Sequence, residues 1–248
     1  MRLEGKTAIV TGGASGFGEG IVRRFVAEGA RVAIADINAD GAAALAGELG
    51  AACVAVPTDV AEAASVAALF DRVSSAFGGL DILVNNAGLG TRPAPMETMD
   101  EATFDRLLGV NVRSVYLTGR LAVPLMKARG SGAILNIAST GGVSPRPNLT
   151  WYNASKGWMI TAARAMAVEL APFGVRVNVI NPVAGETPML ATFMGGDTPE
   201  VRARFLASIP IGRFSTPADI AAATVFLCSD EASMVTGVAM EVDGGRCI

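Results

Sequence analysis

Thr11-Gly12-Gly13-Ala14-Ser15-Gly16-Phe17-Gly18 is the stretch on which the fold turns. It is preceded by a short apolar run, Thr7-Ala8-Ile9-Val10, of strand-like composition. It is followed by residues 18–28, where Ile21, Val22, Phe25 and Val26 recur at helical spacing. Glycines between a strand and a helix permit a tight reversal and close approach of a ligand. The helix N-terminus adds free N–H groups and a positive dipole end, which suit a pyrophosphate. The spacing is GxxxGxG rather than GxGxxG. In a chain with 29 Gly the same letters also fit an ordinary βα turn.

Outward from that turn, short β-type runs alternate with helical patterns. Strands are expected at 31–35, 53–56, 82–84, 133–137, 175–180 and 238–242. Helices are expected up to about residue 48, then at 61–77, 101–127, 150–171 and 217–227. Near-continuous apolar strands alternating with helices predict an α/β fold with a parallel sheet covered on both faces. No linker, repeat or low-complexity tract interrupts the pattern, so residues 1–248 read as one domain. The exception is 186–212, long and rich in Pro, Gly and Met, which reads as a lid over a functional site.

Composition excludes several chemistries. The 248 residues are 51% hydrophobic, enough for a sizeable core. There is no histidine. Ser-His-Asp and Cys-His machinery and imidazole-ligated zinc are therefore excluded, and no metal site is expected. A net charge of −3 with 17% charged residues leaves no basic patch for nucleic acid. Cys53, Cys228 and Cys247 are scattered, odd in number and not in CxxC spacing, which fits free thiols in a reducing compartment. No signal segment opens the chain, and no apolar run reaches the roughly 18 residues of a membrane span. A soluble cytoplasmic protein is expected.

Asp36 ends the second strand, about 20 residues past the glycines, where a carboxylate accepts hydrogen bonds from an adenosine ribose. The same carboxylate repels a 2′-phosphate. The next residue is Ile37 and the turn holds Ser15, so no basic residue is on hand to bind one. NAD is expected over NADP. Asp36 also fits a solvated strand end.

Tyr152 and Lys156 lie four apart on an expected helix and share a face. The chain has only 2 Tyr and 3 Lys. A free phenol titrates near 10 and is a poor base at pH 7. A nearby ammonium lowers that value, at about 1.4 kcal/mol per pH unit, and a cationic nicotinamide would act the same way. A phenol so tuned would replace the missing imidazole.

These residues resemble the short-chain dehydrogenase/reductase family, in its branch of roughly 250 residues, over essentially the whole chain. The resemblance is carried by Thr11-Gly12, Gly16-Phe17-Gly18, Asp59-Val60, Asn85-Asn86-Ala87-Gly88, Asn111, Ser139, Tyr152-Asn153-Ala154-Ser155-Lys156, Asn181-Pro182 and Thr187-Pro188-Met189. It implies a Rossmann-like, doubly wound, seven-stranded parallel sheet, a nicotinamide cofactor and a homotetramer. It implies that Tyr152 is the general acid/base and that Lys156 lowers its pKa and binds the nicotinamide ribose. It further implies that Ser139 hydrogen-bonds the substrate oxygen and that Asn111 holds a water in a proton relay. The cofactor contacts it implies are Gly12, Ser15, Gly16, Phe17, Gly18, Asp36, Ile37, Asp59, Val60, Asn86, Ala87, Gly88, Tyr152, Lys156, Pro182, Val183, Gly185 and Thr187. Asn85 is expected to pin the sheet instead. The family usually has Pro-Gly after the sixth strand. Here Val183 follows Pro182 and the glycine comes at Gly185, so a local change in the backbone beside the nicotinamide is expected.

The expected activity is NAD-dependent oxidation of a secondary alcohol, sugar or polyol, or reduction of the matching ketone. A 3-oxoacyl-thioester reductase of the same family is the alternative; it normally uses NADPH, against which Asp36 argues. A non-catalytic NAD sensor has no need of the Tyr–Lys pair. Thr91, Arg92, Thr140, Gly141, Arg146, Asn148, Glu186, Met189, Leu190, Phe193 and Met194 are the candidate substrate walls. Arg92 and Arg146 could meet an anionic substrate, though solvated surface charges are the plainer expectation.

Overall fold

The computed structural model describes residues 1–248. Seven strands form one parallel sheet: β1 (Thr7–Thr11), β2 (Arg31–Asp36), β3 (Cys53–Pro57), β4 (Ile82–Asn85), β5 (Gly132–Ile137), β6 (Val175–Pro182) and β7 (Ala239–Val242). Their order across the sheet is β3-β2-β1-β4-β5-β6-β7. The chain winds outward from β1 in one direction, then returns and winds the other way from β4. The switch lies between β1 and β4, where ligand crevices open in such sheets.

Side chains alternate between two cores, as strand geometry requires. Ala8 and Val10 of β1 join Ile21, Val22 and Phe25 of α1 (Gly16–Ala27). The same core takes Ala42 and Leu45 of α2 (Ala39–Leu49), and it is closed by Ile220 and Val225 from the helix Pro217–Cys228. Ile9 faces the opposite way, towards Leu69 and Phe70 of α3 (Ala63–Phe77). That second core is completed by Met126 from the helix Ser114–Arg129 and by Met159 and Ala163 from the helix Thr150–Leu170. Both sheet faces are thus covered, as the apolar strands predict.

One element differs from expectation. Residues 101–127 are not one regular helix. α4 (Glu101–Leu108) passes through a π-helical segment, Gly109–Arg113, before α5 (Ser114–Arg129). The apolar periodicity hides this insertion, because a π-bulge shifts the helix face without breaking the chain of hydrogen bonds. α6 (Thr150–Leu170) follows β5.

The segment 186–212 is not irregular throughout. It holds two short helices, α7 (Leu190–Met194) and α8 (Pro199–Leu206), ahead of α9 (Pro217–Cys228). Leu190 and Met194 pack with Val183, Ile209 and Phe214 into a small core of their own. No helix is long and apolar enough to cross a membrane.

Candidate active site

The glycine turn is held open by its neighbours. Gly12 and Gly16 have φ of 62° and 55°, in the left-handed region that favours glycine. Asn86, just past β4, donates through Nδ2 to the carbonyls of Thr11 and Gly12 at 2.9 and 3.0 Å. Asp36 accepts from the amide of Ala14 at 2.9 Å and from that of Asn38 at 2.9 Å. The strand-end carboxylate therefore shapes the turn, and is more than a solvated charge. At Gly18 a Cβ would stand 1.9 Å from the carbonyl oxygen of Gly12, so only glycine lets α1 start this close. Ser15 caps α1 without a side-chain hydrogen bond, leaving the first amides of the helix directed outward.

Further round the crevice, Asp59 accepts from the amide of Ala61 at 2.9 Å. Thr187 lies over the turn, its side chain 3.2 Å from where a Gly16 Cβ would be. The altered Pro182-Val183 sequence has a physical consequence. Val183 is buried in the small core under α7, and Gly185 lies against Phe17, whose ring tip would be 2.2 Å from a Cβ there. Val183 thus anchors the segment, and Gly185 supplies the close approach.

At the other end of the crevice α6 presents Tyr152 and Lys156, both buried. Lys156 Nζ donates to the carbonyl of Ile137 at 3.0 Å and stands 5.9 Å from the Tyr152 ring centroid. Ser139, at the end of β5, accepts from the amide of Gly141 at 3.0 Å. Asn111 is fully buried on the π-helical segment. Its Oδ1 accepts from the amide of Leu89 at 2.7 Å, and its Nδ2 donates to the carbonyl of Leu89 and to Ser155 Oγ. The Asn111 side chain therefore bolts the loop after β4 to α6. Asn85 is held in a buried network, donating to Asn136 at 2.8 Å and accepting from Thr118 at 2.8 Å. It pins the sheet, as expected.

The electrostatics of the pair differ from expectation. Burial pushes the Tyr152 phenol up to about 12, with the Ser139 hydroxyl and the Arg146 charge pulling the other way. Burial pushes Lys156 down to about 8. Desolvation disfavours phenolate and ammonium alike, and it dominates both shifts. In the chain by itself the phenol is a protonated acid at neutral pH.

One cavity of about 730 Å³ unites these parts. It is lined by every expected cofactor residue except Gly18, which acts through the backbone packing described above. It also takes in Ser139, Tyr152, Lys156, Thr140, Gly141, Arg146, Met189, Leu190 and Phe193. Asn111 lies behind its wall. Phe193 of α7 reaches across, 4.9 Å from the Tyr152 ring, and would touch a Cβ at Gly90.

Five expected wall residues fall elsewhere. Thr91, Arg92 and Asn148 line a separate small depression with Trp151. Glu186 is exposed, and Met194 is buried in the small core. Among the wall residues that escaped notice are Phe205, Ser208 and Arg246. They sit on α8, just after it and beyond β7, and no local spacing ties such distant segments to the tyrosine.

A glycine turn at a switch point, sharing one cavity with a buried Tyr–Lys pair, defines an open α/β protein with a single continuous crevice. The chain belongs to the short-chain dehydrogenase/reductase family of oxidoreductases. The family profile described as Enoyl-(Acyl carrier protein) reductase matches residues 12–246. A 4-formylbenzenesulfonate dehydrogenase of Comamonas testosteroni is 49% identical over 100% of both chains. A cis-4-hydroxycyclohexanecarboxylate dehydrogenase of Sinomonas cyclohexanicum is 40% identical over 97% of this chain and 96% of its own. The crystal structure of a 3-ketoacyl-(acyl-carrier-protein) reductase from Brucella melitensis, complexed with NADH, is 51% identical. It superposes with a TM-score of 0.95 over 99% of this chain and 100% of that one.

Proposed function

We propose that the chain is an NAD-dependent oxidoreductase interconverting a secondary alcohol and its ketone. The observation that carries this reading is the continuity of one cavity from Gly16 and Asp36 to Tyr152. The cradle fits a dinucleotide on its own terms. Its glycines leave room that side chains would fill, its helix amides point outward, and its strand-end acid suits a ribose. Gly12, Ser15, Gly16, Phe17 and Gly18 would hold the pyrophosphate. Asp36 and Ile37 would hold the ribose, and Asp59 and Val60 the adenine. Asn86, Ala87 and Gly88 would support the middle of the cofactor. Pro182, Val183, Gly185 and Thr187 would flank the nicotinamide, with Lys156 on its ribose.

A bound nicotinamide would supply hydride transfer at the carbinol carbon. Tyr152 gives or takes the proton at the carbinol oxygen. In reduction the buried phenol already carries the proton it must donate. In oxidation it needs positive charge beside it, from Lys156 and the oxidised ring. Ser139 hydrogen-bonds the same oxygen and stabilises developing charge. Asn111 fixes Leu89 and Ser155, and so keeps the loop after β4 in register with α6. Residues 186–212 act as the lid, with Phe193 as its closing contact. A cytoplasmic homotetramer, usual for the family, is the proposed assembly.

A second reading, reduction of a 3-oxoacyl thioester, is favoured by the likeness to the Brucella reductase. That enzyme is described with NADH, so cofactor preference no longer separates the two readings. A panel of cyclic alcohols, aryl alcohols, polyols and hydroxyacyl thioesters, followed by NADH absorbance, does separate them. With the best substrate, Tyr152→Phe is expected to lose activity by about 10²–10⁴-fold while still binding NADH. Turnover unchanged in that variant would overturn the mechanism.

A further inference from the structure

Two arginines enter the cavity at its tyrosine end, Arg146 from the segment before α6 and Arg246 from the turn after β7. No carboxylate pairs with either; the ion pairs of the molecule all lie elsewhere. Both are only partly exposed. The Arg146 guanidinium stacks 4.4 Å over the Phe205 ring. Burial and the Arg246 charge hold Arg146 below the usual arginine range, while Tyr152 acts in the opposite sense. Two cations thus share one partly desolvated cavity wall, near enough for the Arg246 charge to act on Arg146, and Arg146 lies within electrical reach of Tyr152.

Both are held from behind. Asn153 Nδ2 donates to the carbonyl of Arg146 at 2.8 Å. The buried Asp243 carboxylate accepts from the amides of Gly245 and Cys247 at 2.9 and 2.8 Å, which fixes the turn that carries Arg246. Placing like charges together without a counter-ion is costly unless an anion joins them. Four acids line the cavity, but Asp36 ends β2, Asp59 and Glu62 follow β3, and Asp105 is on α4 one turn before Gly109, which meets Ala61, all on the adenosine side of the sheet. Around the two arginines the wall is apolar or neutral: Leu149, Met189, Phe193, Phe205 and Ser208.

We propose that Arg146 and Arg246 form an anion subsite, which selects cyclic substrates bearing a carboxylate or sulfonate in addition to the reacting oxygen. The aromatic and aliphatic wall takes the ring, and the guanidiniums take the anion through paired N–H donors. The inference rests on the oxidoreductase reading for where reaction occurs, but the anion site itself does not require turnover.

The test measures binding of benzoate, benzenesulfonate and neutral benzamide to the NADH-saturated enzyme by calorimetry. At least one anion is expected to bind about tenfold or more tightly than benzamide, as charge-assisted hydrogen bonds imply. The two anions separate carboxylate from sulfonate preference. Arg146→Met and Arg246→Met are each expected to abolish the preference, and Arg146→Lys and Arg246→Lys to keep part of it. Arg92→Met, outside the cavity, keeps it in full. Thermal unfolding of each variant shows that the fold persists. Equal affinity for benzamide and both anions would overturn the proposal, as would an Arg92→Met loss equal to that of Arg146→Met. Anion preference in an enzyme that oxidises no alcohol would defeat the oxidoreductase reading alone. Turnover without anion preference would defeat the subsite alone.

Discussion

Tyr152 and Lys156 show how burial sets charge. Near pH 7 the Lys156 ammonium is held in the folded chain at a cost, because its pKa falls from 10.5 to about 8. Between pH 8 and 10.5 the unfolded chain still binds that proton and the folded chain does not. Stability from this group therefore rises with pH across that window. Tyr152 has the opposite sign: its pKa is raised from 10 to about 12, so its contribution falls as pH rises through those values. Lys156→Met is expected to be more stable than wild type near pH 7, by on the order of 2 kcal/mol, with the gap closing towards pH 10. Denaturant unfolding at a series of pH values measures this, and a pH-independent gap would contradict it. The same variant is expected to lose turnover, so this residue trades stability for chemistry.

Elements place these residues to within bond lengths. α1 starts against the glycine turn only because Gly18 has no Cβ. Gly18→Ala is expected to destabilise the fold by about 1–3 kcal/mol and to weaken NADH binding. Gly47→Ala, exposed on α2 with nothing within 4 Å of a Cβ, is expected to be neutral or stabilising by up to about 1 kcal/mol. Melting temperatures of the two variants give the contrast, and equal shifts would defeat the account of the turn. The π-helical segment at Gly109–Arg113 is the element that periodicity could not reveal. It carries Asn111, whose motif was legible, but its bonds to Leu89 and Ser155 depend on three separate parts of the chain meeting.

At the scale of the whole molecule, the sheet order joins residues 12 to 246 around one cavity. A ligand spanning it binds only the folded chain and so stabilises it. NADH at about 100 times its Kd is expected to add about 2.7 kcal/mol, with NADPH adding clearly less at equal concentration. The Asp36 carboxylate, proposed to hold the ribose and to repel a 2′-phosphate, would be the reason, and Asp36→Ala is expected to narrow the difference. Thermal shifts with both cofactors read this directly; a larger shift with NADPH in the wild type would reverse the cofactor assignment. The sequence by itself determined the alternation of strands and helices, the glycine turn, Asp36, and the Tyr152–Lys156 pair. These are local patterns, set by backbone period and by spacing along one element. Only the tertiary structure decided that burial raises the pKa of the phenol, that Arg92 and Asn148 stand outside the cavity, and that Arg146 and Arg246 both line it. Desolvation and wall membership depend on contacts between segments far apart in the chain, and no window of sequence contains both partners.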